Sequence, residues 1–267
     1  MPRNRKSQKP ERELRIIDEK APFPFVEAYK SLRTNVDFLS STNNYRSILI
    51  TSAGPWDGKS TVAINLATAM ADSGKRVILV DCDLRKGSIA SYLKISRSAA
   101  GISDVIGRKA KLTEVICQKE DTKFDILPVG ALPDNPAEIV GSSTMVRILQ
   151  FLTEVYDYVF IDTPPVSVVT DAAILSRYVD GVILVVRADE TTKQALNASK
   201  KALEDVNANI LGAVLNDFDA RKHSYGGGYY SYRYGKYGYK YGYKYGYGGY
   251  DKRSEKSRRK HKDTEEE

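Results

Sequence analysis

The sequence predicts an α/β fold with a doubly wound, mostly parallel sheet, and three observations lead to this prediction. Short apolar runs alternate along the chain with segments of helical periodicity. The 267 residues are 42% hydrophobic, which is enough to bury a substantial core. Aspartates directly follow several apolar runs, and a Gly-Lys-Ser-Thr sequence follows another after a turn, at the carboxyl ends of strands, where parallel sheets bind ligands.

The elements follow from these patterns in chain order. The first predicted strand begins at Ser47. The others are Arg76–Asp81, Phe124–Val129, Asp157–Asp162, Gly181–Arg187 and Ile210–Leu215. The predicted helices are Phe25–Leu39, Val62–Met70, the short pieces Ile102–Ile106 and Leu112–Ile116, one that begins at Asn135-Pro136, Thr144–Tyr156, Thr170–Tyr178 and Thr192–Val206. Gly74 is expected to end the second of these helices, and proline suits a first helical position.

Composition divides the chain into four parts. The predicted boundaries are a basic, flexible N-terminal arm at 1–22, an α/β domain at 23–220, a flexible Tyr/Gly-rich tail at 221–250 and a charged, disordered end at 251–267. The formal net charge of +7 comes from the two ends, while the body is slightly acidic. Charge alone does not decide whether a basic end meets nucleic acid, anionic lipid or an acidic groove.

Several classes of protein are disfavoured by the sequence. The two cysteines, Cys82 and Cys117, provide neither a disulfide framework nor metal-ligand spacing, and with two histidines a zinc site is not expected. The N-terminus lacks the apolar region of a secretory signal, and the longest apolar runs are far too short to span a membrane. We therefore expect a cytoplasmic protein that reaches the membrane only through a partner or its basic ends.

A phosphate-binding loop is predicted where the first strand gives way to a helix, at Gly58-Lys59-Ser60-Thr61. Backbone N–H groups at a helix start, with the positive end of the helix dipole, bind phosphate oxygens. Lys59 is placed to reach the β- and γ-phosphates, and the Ser60 hydroxyl to bind Mg²⁺. The alternative is a chance Gly-Lys-Ser that happens to precede a helix.

The loop departs from the usual pattern G-x-x-x-x-G-K-[ST] in composition. The first glycine position of the pattern is Ala53, with Gly54 one residue later, and Trp56 and Asp57 make the loop less glycine-rich. No feature of the sequence explains a tryptophan at position 56.

Three aspartates are expected beside this loop. Asp81 and Asp83 lie at one strand end and Asp162 at another. Paired carboxylates repel each other unless a cation or a proton separates them, and Mg²⁺ with phosphate oxygens would do so. With Lys59 and Ser60 they form a candidate phosphoryl-transfer set in which one carboxylate acts as base or orienting group.

Other roles are open for the acidic residues and for the arginine that follows them. Asp81 and Asp83 could instead be turn and cap residues, because aspartate favours such positions. Arg85 could clamp a phosphate or pair with one of these acids, and the sequence does not separate the two roles.

A charged face is predicted on the first helix, where Glu27, Lys30 and Arg33 are spaced three apart and therefore adjacent. A solvated face with an internal ion pair is one interpretation, and a contact between subunits is the other.

The segment from Tyr225 to Tyr250 contains nine glycines, no acidic residue and only four charged residues, all basic. It lacks Leu, Ile and Val and cannot form a packed core. The candidate acceptors for phosphate are its twelve tyrosines: Tyr225, Tyr229, Tyr230, Tyr232, Tyr234, Tyr237, Tyr239, Tyr241, Tyr243, Tyr245, Tyr247 and Tyr250. Similar compositions bind single-stranded nucleic acid or separate into condensed phases.

Together, the Gly-Lys-Ser-Thr loop, the Val-Asp-x-Asp-x-Arg strand end, the Phe-Ile-Asp-Thr-Pro-Pro strand and the tyrosine cluster resemble the bacterial tyrosine kinases, in their cytoplasmic form from capsule and exopolysaccharide systems. The resemblance covers roughly residues 15–250 and implies a P-loop NTPase fold with Walker A, A′ and B motifs. It implies ATP and Mg²⁺ as cofactors and autophosphorylation of tail tyrosines between the subunits of a ring.

The resemblance also implies roles for particular residues. Catalytic roles fall on Lys59, Asp81, Asp83 and Asp162, and Mg²⁺ binding on Ser60, Asp83 and Asp162. Nucleotide contacts fall on Ala53, Gly54, Pro55, Trp56, Asp57, Gly58, Lys59, Ser60, Thr61, Arg85 and Asn216. The family's ring contact E-x-x-R-x-x-R corresponds to Glu27, Lys30 and Arg33, and lysine lacks the bidentate fork of the arginine it replaces.

The expected partners are a transmembrane activator of the polysaccharide co-polymerase type, further copies of the chain, a counteracting tyrosine phosphatase and sugar-nucleotide enzymes as substrates, with no nucleic acid. Two other functions remain open at this point. One is a non-kinase ATPase switch whose dimerisation is controlled by nucleotide, and the other is a nucleic-acid-binding or assembly protein that acts through its tail.

Overall fold

The computed structural model describes residues 15–96 and 98–219. The helices are α1 Phe23–Asn43, α2 Lys59–Ala71, α3 Ser88–Tyr92, α4 Ile102–Ile106, α5 Leu112–Val115, α6 Pro136–Val140, α7 Ser143–Val155, α8 Asp171–Leu175 and α9 Lys193–Glu204, with a 3₁₀ turn at Ser176–Tyr178. The strands are β1 Ser47–Ser52, β2 Val77–Asp81, β3 Cys117–Gln118, β4 Asp125–Leu127, β5 Tyr158–Asp162, β6 Gly181–Arg187 and β7 Ile210–Asn216.

The strands form one sheet in the order β3-β4-β2-β5-β1-β6-β7, parallel except for the short edge strand β3. β1, β2 and β5 are buried along their whole length, which explains their continuous apolar sequences. Helices α1 and α2 pack on one face of the sheet, and α7, α8 and α9 pack on the other. The predicted doubly wound α/β fold is confirmed.

The sheet brings the predicted site residues to one edge. β1 lies between β5 and β6, and β2 pairs with β5 in a register that places Asp81 opposite Asp162. Since these strands are parallel, their carboxyl ends and the loop before α2 share the same edge.

Two elements were absent from the sequence prediction. Strand β3 has only two residues, too few for an alternating pattern, and the five residues of helix α3 include a single buried residue, Ile89, so no apolar spacing marks the helix. Helix α2 begins at Lys59, before the predicted Val62, and ends at Ala71 rather than directly at Gly74.

Residues just before α1 contact the domain. The side-chain amide of Asn65 in α2 accepts a hydrogen bond from the N–H of Ile17 at 2.7 Å and donates one to the carbonyl of Arg15 at 2.9 Å. These residues belong to the arm that the sequence predicts to be flexible, and they are docked on α2. Within the described residues, no helix is both long enough and apolar enough to cross a membrane.

Candidate nucleotide and phosphoryl-transfer site

The loop between β1 and α2 has the geometry of an anion-binding turn. Gly58 precedes α2 with a φ of 92°, and no side chain caps this end of the helix among the described residues. The first N–H groups of the helix are therefore available, and the helix dipole adds a partial positive charge. This is the arrangement that favours phosphate.

Asp57 holds the loop closed from inside. Its Oδ2 accepts a hydrogen bond from the N–H of Gly54 at 2.7 Å, and its Oδ1 accepts one from Thr191 Oγ1 at 3.0 Å. Burial raises the pKa of this carboxyl above its ordinary value, although the two hydrogen bonds act in the opposite direction. The aspartate that makes the loop unusual in sequence thus replaces glycine flexibility with hydrogen bonds.

Two residues from neighbouring strand ends support the same turn. Asn216, at the end of β7, donates its Nδ2 to the carbonyl of Asp57 at 2.9 Å, and Arg187 donates Nη1 to the carbonyl of Trp56 at 3.3 Å. A Cβ on Gly58 would lie 2.0 Å from Asn216 Nδ2 and would displace that amide, and the φ of 92° is one that other residues rarely adopt. We call the side chains of Asp57, Arg187, Thr191 and Asn216 the loop support.

The other residues of the predicted nucleotide set surround this turn. Ala53 is buried and donates its N–H to the carbonyl of Val185 at 3.2 Å. The carbonyl of Thr61 accepts a hydrogen bond from Asn65. Pro55 and Trp56 form the exposed tip of the loop.

A compact set of charged side chains lies beside the loop. Lys59 Nζ is 3.2 Å from Asp83 Oδ2 and 3.6 Å from Asp162 Oδ2, and Ser60 Oγ donates to Asp162 Oδ2 at 2.6 Å. We call Lys59, Ser60, Asp83 and Asp162 the acid cluster. The sequence predicted that these four residues would meet, and the structure brings them together.

Burial and charge oppose each other in the acid cluster. Burial disfavours the charged form of Lys59, but the carboxylates of Asp162, Asp83 and Asp81 outweigh it and raise its pKa above the ordinary value. Burial raises the pKa of Asp162, while Lys59 and Ser60 partly offset this effect. A cation is therefore required beside these carboxylates, and Lys59 supplies one.

Asp81 differs from the other two acids in its contacts. It is fully buried, its Oδ1 accepts the N–H of Asp83 at 3.1 Å, and its Oδ2 accepts the N–H of Ile89 at 3.0 Å. Burial, together with the charge of Asp162, raises its pKa well above the ordinary value. Asp81 thus shapes the turn between β2 and α3, so the turn-and-cap interpretation describes its contacts.

One carboxylate oxygen in the site has unused bonding capacity. Asp162 Oδ1 is buried and has no hydrogen-bond partner among the described residues. A buried carboxylate oxygen without a donor suits a hydrated hard cation, and the neighbouring Ser60 hydroxyl is the kind of ligand that Mg²⁺ accepts. The residues present therefore fit a Mg²⁺–nucleotide complex.

Arg85 makes a bidentate ion pair with an acid that sequence reasoning did not identify. Its Nε and Nη2 donate to the carboxylate of buried Asp171, at the start of α8, at 2.9 and 3.0 Å. The sequence left open whether Arg85 clamps a phosphate or pairs with a nearby acid. The structure contains an ion pair, and the partner is neither Asp81 nor Asp83.

The predicted oligomer contact also makes bonds within the chain. On α1, Lys30 Nζ lies 2.8 Å from Glu27 Oε1, and both side chains are exposed. Arg33 Nη1 donates to the carbonyl of Ala69 in α2 at 3.3 Å. The twelve predicted acceptor tyrosines, between Tyr225 and Tyr250, lie outside the described residues.

Sequence reasoning missed Asn65, Thr191, Arg187 and Asp171. Each follows or lies within a predicted element and bonds a partner far away in sequence. No local pattern marks such a pair. The position of Arg187 at a strand end, at the ligand-binding edge of the sheet, was the one available signal.

Comparisons with known proteins agree with this geometry. The family model described as "AAA domain" matches residues 47–214. Tyrosine-protein kinase YwqD of Bacillus subtilis is 36% identical over 214 residues, which are 80% of this chain and 86% of YwqD. Putative tyrosine-protein kinase CapB of Staphylococcus aureus is 32% identical and covered to 94% of its length, whereas the putative tyrosine-protein kinases of Ralstonia and Klebsiella pneumoniae are longer and covered to only 26% to 29%.

Solved structures show the same fold. The chimerical protein CapA2B2 matches with a TM-score of 0.71 and 33% identity, over 75% of this chain and 88% of that one. The kinase domain of the Escherichia coli tyrosine kinase ETK matches with a TM-score of 0.70 and 33% identity, over 77% and 83%.

Proposed function

The chain belongs to the bacterial tyrosine-protein kinases, and from this premise we propose that it uses ATP and Mg²⁺ to phosphorylate tyrosines in its own 225–250 segment, one copy acting on another. The enzyme is a protein-tyrosine kinase with a P-loop fold. The observation that carries the proposal is the contact of Lys59 with Asp83 and Asp162 beside the start of α2.

Each residue of the acid cluster has a proposed task. The N–H groups at the start of α2 hold phosphate oxygens, and Lys59 moves from its carboxylate partners to the β- and γ-phosphates. Ser60 and Asp162, together with Asp83, would hold Mg²⁺, which when bound neutralises negative charge on the phosphates. Once Lys59 has moved to the phosphates, the Asp83 and Asp162 carboxylates would be free to bind the ion.

The base is proposed to be Asp83 rather than Asp81. Both oxygens of Asp81 accept backbone hydrogen bonds, so that carboxylate holds the turn and has no free oxygen directed at a substrate. Asp83 bonds the mobile end of a lysine side chain instead. One oxygen of its carboxylate would bind Mg²⁺, and the other can accept a hydrogen bond from the acceptor hydroxyl and take its proton as the phosphoryl group is transferred.

Composition supports the 225–250 segment as the acceptor. It has no acidic residue, so a cluster of aspartates does not repel it. Each phosphorylation adds about −1.5 to −2 charge, and several would reverse the sign of the segment and weaken its docking. The exposed Glu27–Lys30 pair and Arg33 on α1 are the proposed contact between copies.

The proposed setting is polysaccharide synthesis and export. There a transmembrane activator would recruit the kinase to the inner face of the membrane. A tyrosine phosphatase would oppose it, and sugar-nucleotide enzymes would be further substrates.

Incubation with γ-labelled ATP tests the function. Full-length chain is mixed with a tagged Lys59→Met copy as acceptor, with and without a co-expressed membrane activator. We expect label on tyrosines of 225–250 in the tagged copy, at a rate that falls by about 10²–10³-fold when both copies carry Lys59→Met. Lys123→Met is the matched control, because Lys123 is an exposed lysine that pairs with Asp72.

Two other results would contradict the proposal. Orthophosphate release without labelled tyrosine, with the activator present, would identify an ATPase switch. Tight RNA binding by the full chain that is unaffected by Lys59→Met, again without labelled tyrosine, would identify a protein that works through its tail.

A further inference from the structure

Trp56 occupies an unusual position at the tip of the phosphate loop. Its side chain is 79% exposed, and its backbone has a φ of 71°. A bulky residue in the left-handed region of φ is strained. A large aromatic side chain that stays exposed to water contributes no hydrophobic stabilisation to the fold. Both properties are unfavourable for folding, and strained residues concentrate at sites where they serve a ligand.

The strain is maintained by specific contacts. Arg187 donates to the carbonyl of Trp56, and Asp57, the next residue, is bonded on both carboxylate oxygens. The loop support therefore fixes the backbone on both sides of the ring. An aromatic group on a fixed backbone loses little conformational entropy when another ring stacks on it.

A cation covers part of the indole. Lys86 Nζ lies 5.4 Å from the centroid of the Trp56 ring, and the N–H of Lys86 bonds the carbonyl of Asp83 at 3.0 Å. The Trp56 ring therefore lies between the phosphate loop and the turn that carries Asp83. An acceptor hydroxyl that reached Asp83 past this turn would pass the ring.

The resemblance counts Trp56 among the nucleotide contacts, but its ring is poorly placed for the nucleotide base. Trp56 is three residues before Lys59, which reaches the β- and γ-phosphates in loops of this type. The ring is thus at the phosphate end of the site, whereas the base lies beyond the α-phosphate. An incoming phosphoryl acceptor is the group that meets the phosphate end.

We propose that Trp56 is a stacking platform for the acceptor tyrosine, and that its occupant is a tyrosine ring from the 225–250 segment of a second copy of the chain. This inference rests on the proposed function. Offset or edge-to-face contact between the two rings would place the phenol beside Asp83. The twelve tyrosines of the segment, interspersed with glycine and basic residues, give many equivalent rings that can occupy one platform, so binding does not select a single sequence position.

Kinetics with matched variants test the proposal. Trp56→Phe and Trp56→Ala place the same demand on the backbone and differ in the ring. With the tagged Lys59→Met chain as acceptor, we expect Trp56→Ala to raise the KM for the acceptor roughly three- to tenfold and to leave the KM for ATP unchanged. Trp56→Phe should restore most of the acceptor affinity. Phe38→Ala, which removes an exposed aromatic from α1, is the control.

Fluorescence gives a second measurement on unmodified protein. Trp56 is the only tryptophan in the 267 residues, so the emission of the full chain with bound ADP reports on this ring alone when the excitation lies beyond the absorption of tyrosine. We expect a synthetic 225–250 peptide to change the emission saturably. The same peptide with serine in place of every tyrosine should not, although its charge is identical.

Three outcomes would overturn the proposal. In the first, Trp56→Ala phosphorylates the acceptor with the wild-type KM. In the second, ADP alone produces the full emission change, which would assign the ring to the nucleotide. In the third, Trp56→Ala alters oligomer size in light scattering without altering acceptor KM, which would assign it to the body of a neighbouring copy. Absence of tyrosine labelling by the wild-type chain would instead refute the kinase proposal itself.

Discussion

The acid cluster and the loop support both contact the turn between β1 and α2, but they use their polar groups differently. In the acid cluster, side chains bond other side chains, and a buried lysine holds carboxylates that would otherwise repel each other. In the loop support, Asp57, Arg187 and Asn216 bond backbone N–H and carbonyl groups, and Thr191 holds the Asp57 carboxylate in place. Changes in the first set should therefore alter chemistry, and changes in the second should alter the shape of the loop.

Asp81 is the residue on which this distinction can be tested most directly. Its sequence position groups it with Asp83, but its hydrogen bonds go to the backbone, as those of the loop support do. It should behave as a structural residue although it occupies a catalytic motif.

The largest expected effect is the contrast between Asp81→Ala and Asp83→Ala. Asp81→Ala leaves two buried N–H groups without acceptors, at about 1–3 kcal/mol each, so it should reduce the free energy of unfolding by about 2–6 kcal/mol. Asp83→Ala should reduce the rate of tyrosine phosphorylation strongly while costing about 1 kcal/mol or less, since its partner Lys59 keeps Asp162. Urea unfolding and labelled-ATP assays measure the two effects.

The same pair of variants can contradict the assignment of a structural role to Asp81 and a chemical role to Asp83. If Asp81→Ala unfolds at the same urea concentration as wild type but is inactive, then Asp81 is a chemical group and its backbone bonds are incidental. If Asp83→Ala retains full activity, Asp83 is not the base.

The acid cluster could be predicted from the sequence, whereas the loop support could not. The acid cluster was predictable because each member directly follows a buried strand or begins α2, and the parallel sheet brings these ends together. The buried strands were predictable because their apolar runs are continuous. Both signals are local.

The loop support was not predictable because its partners are distant in sequence. Asp57 and Thr191 are separated by 134 residues, and nothing in either neighbourhood indicates the other. Arg85 shows the same limit, since its partner Asp171 begins a short helix 86 residues later. Helix α3 escaped prediction for another reason: Ile89 is its single buried residue, and the N–H of Ile89 bonds the carboxylate of Asp81. Helical periodicity carries no information about such a bond.

An intermediate effect is expected from Gly58→Ala, for which the chain provides a matched control. Gly58 and Gly74 both have left-handed backbones, with φ of 92° and 85°. A Cβ at Gly74 meets nothing within 4 Å, whereas one at Gly58 meets Asn216 Nδ2 at 2.0 Å. Gly74→Ala should therefore cost about 1–2 kcal/mol for the backbone alone, and Gly58→Ala should cost more.

The excess at Gly58 should depend on Asn216. In a double-mutant cycle, Asn216→Ala should recover part of the loss caused by Gly58→Ala, with a coupling of about 0.5–3 kcal/mol measured by urea unfolding. Purely additive effects would show that the loop moves away from Asn216 at no cost, and that the support from β7 is weak.

The smallest expected effect is a pH dependence at Asp57. Burial raises its pKa above 3.8, so the folded chain binds this proton more tightly than the unfolded chain, and unfolding releases it at pH values between the two pKa values. Stability contributed by protonated Asp57 is therefore present at low pH and decreases as the pH rises through this window. Asp57→Asn lacks the ionisation and can still accept from Gly54 and donate to Thr191. We expect the unfolding free energy of wild type minus that of Asp57→Asn to fall as the pH rises from about 3.5 and then to level off. The subtraction removes the titration of the acid cluster, which both proteins share. A difference that rises with pH would mean that the hydrogen bonds of the loop support outweigh burial and stabilise the Asp57 carboxylate in its charged form.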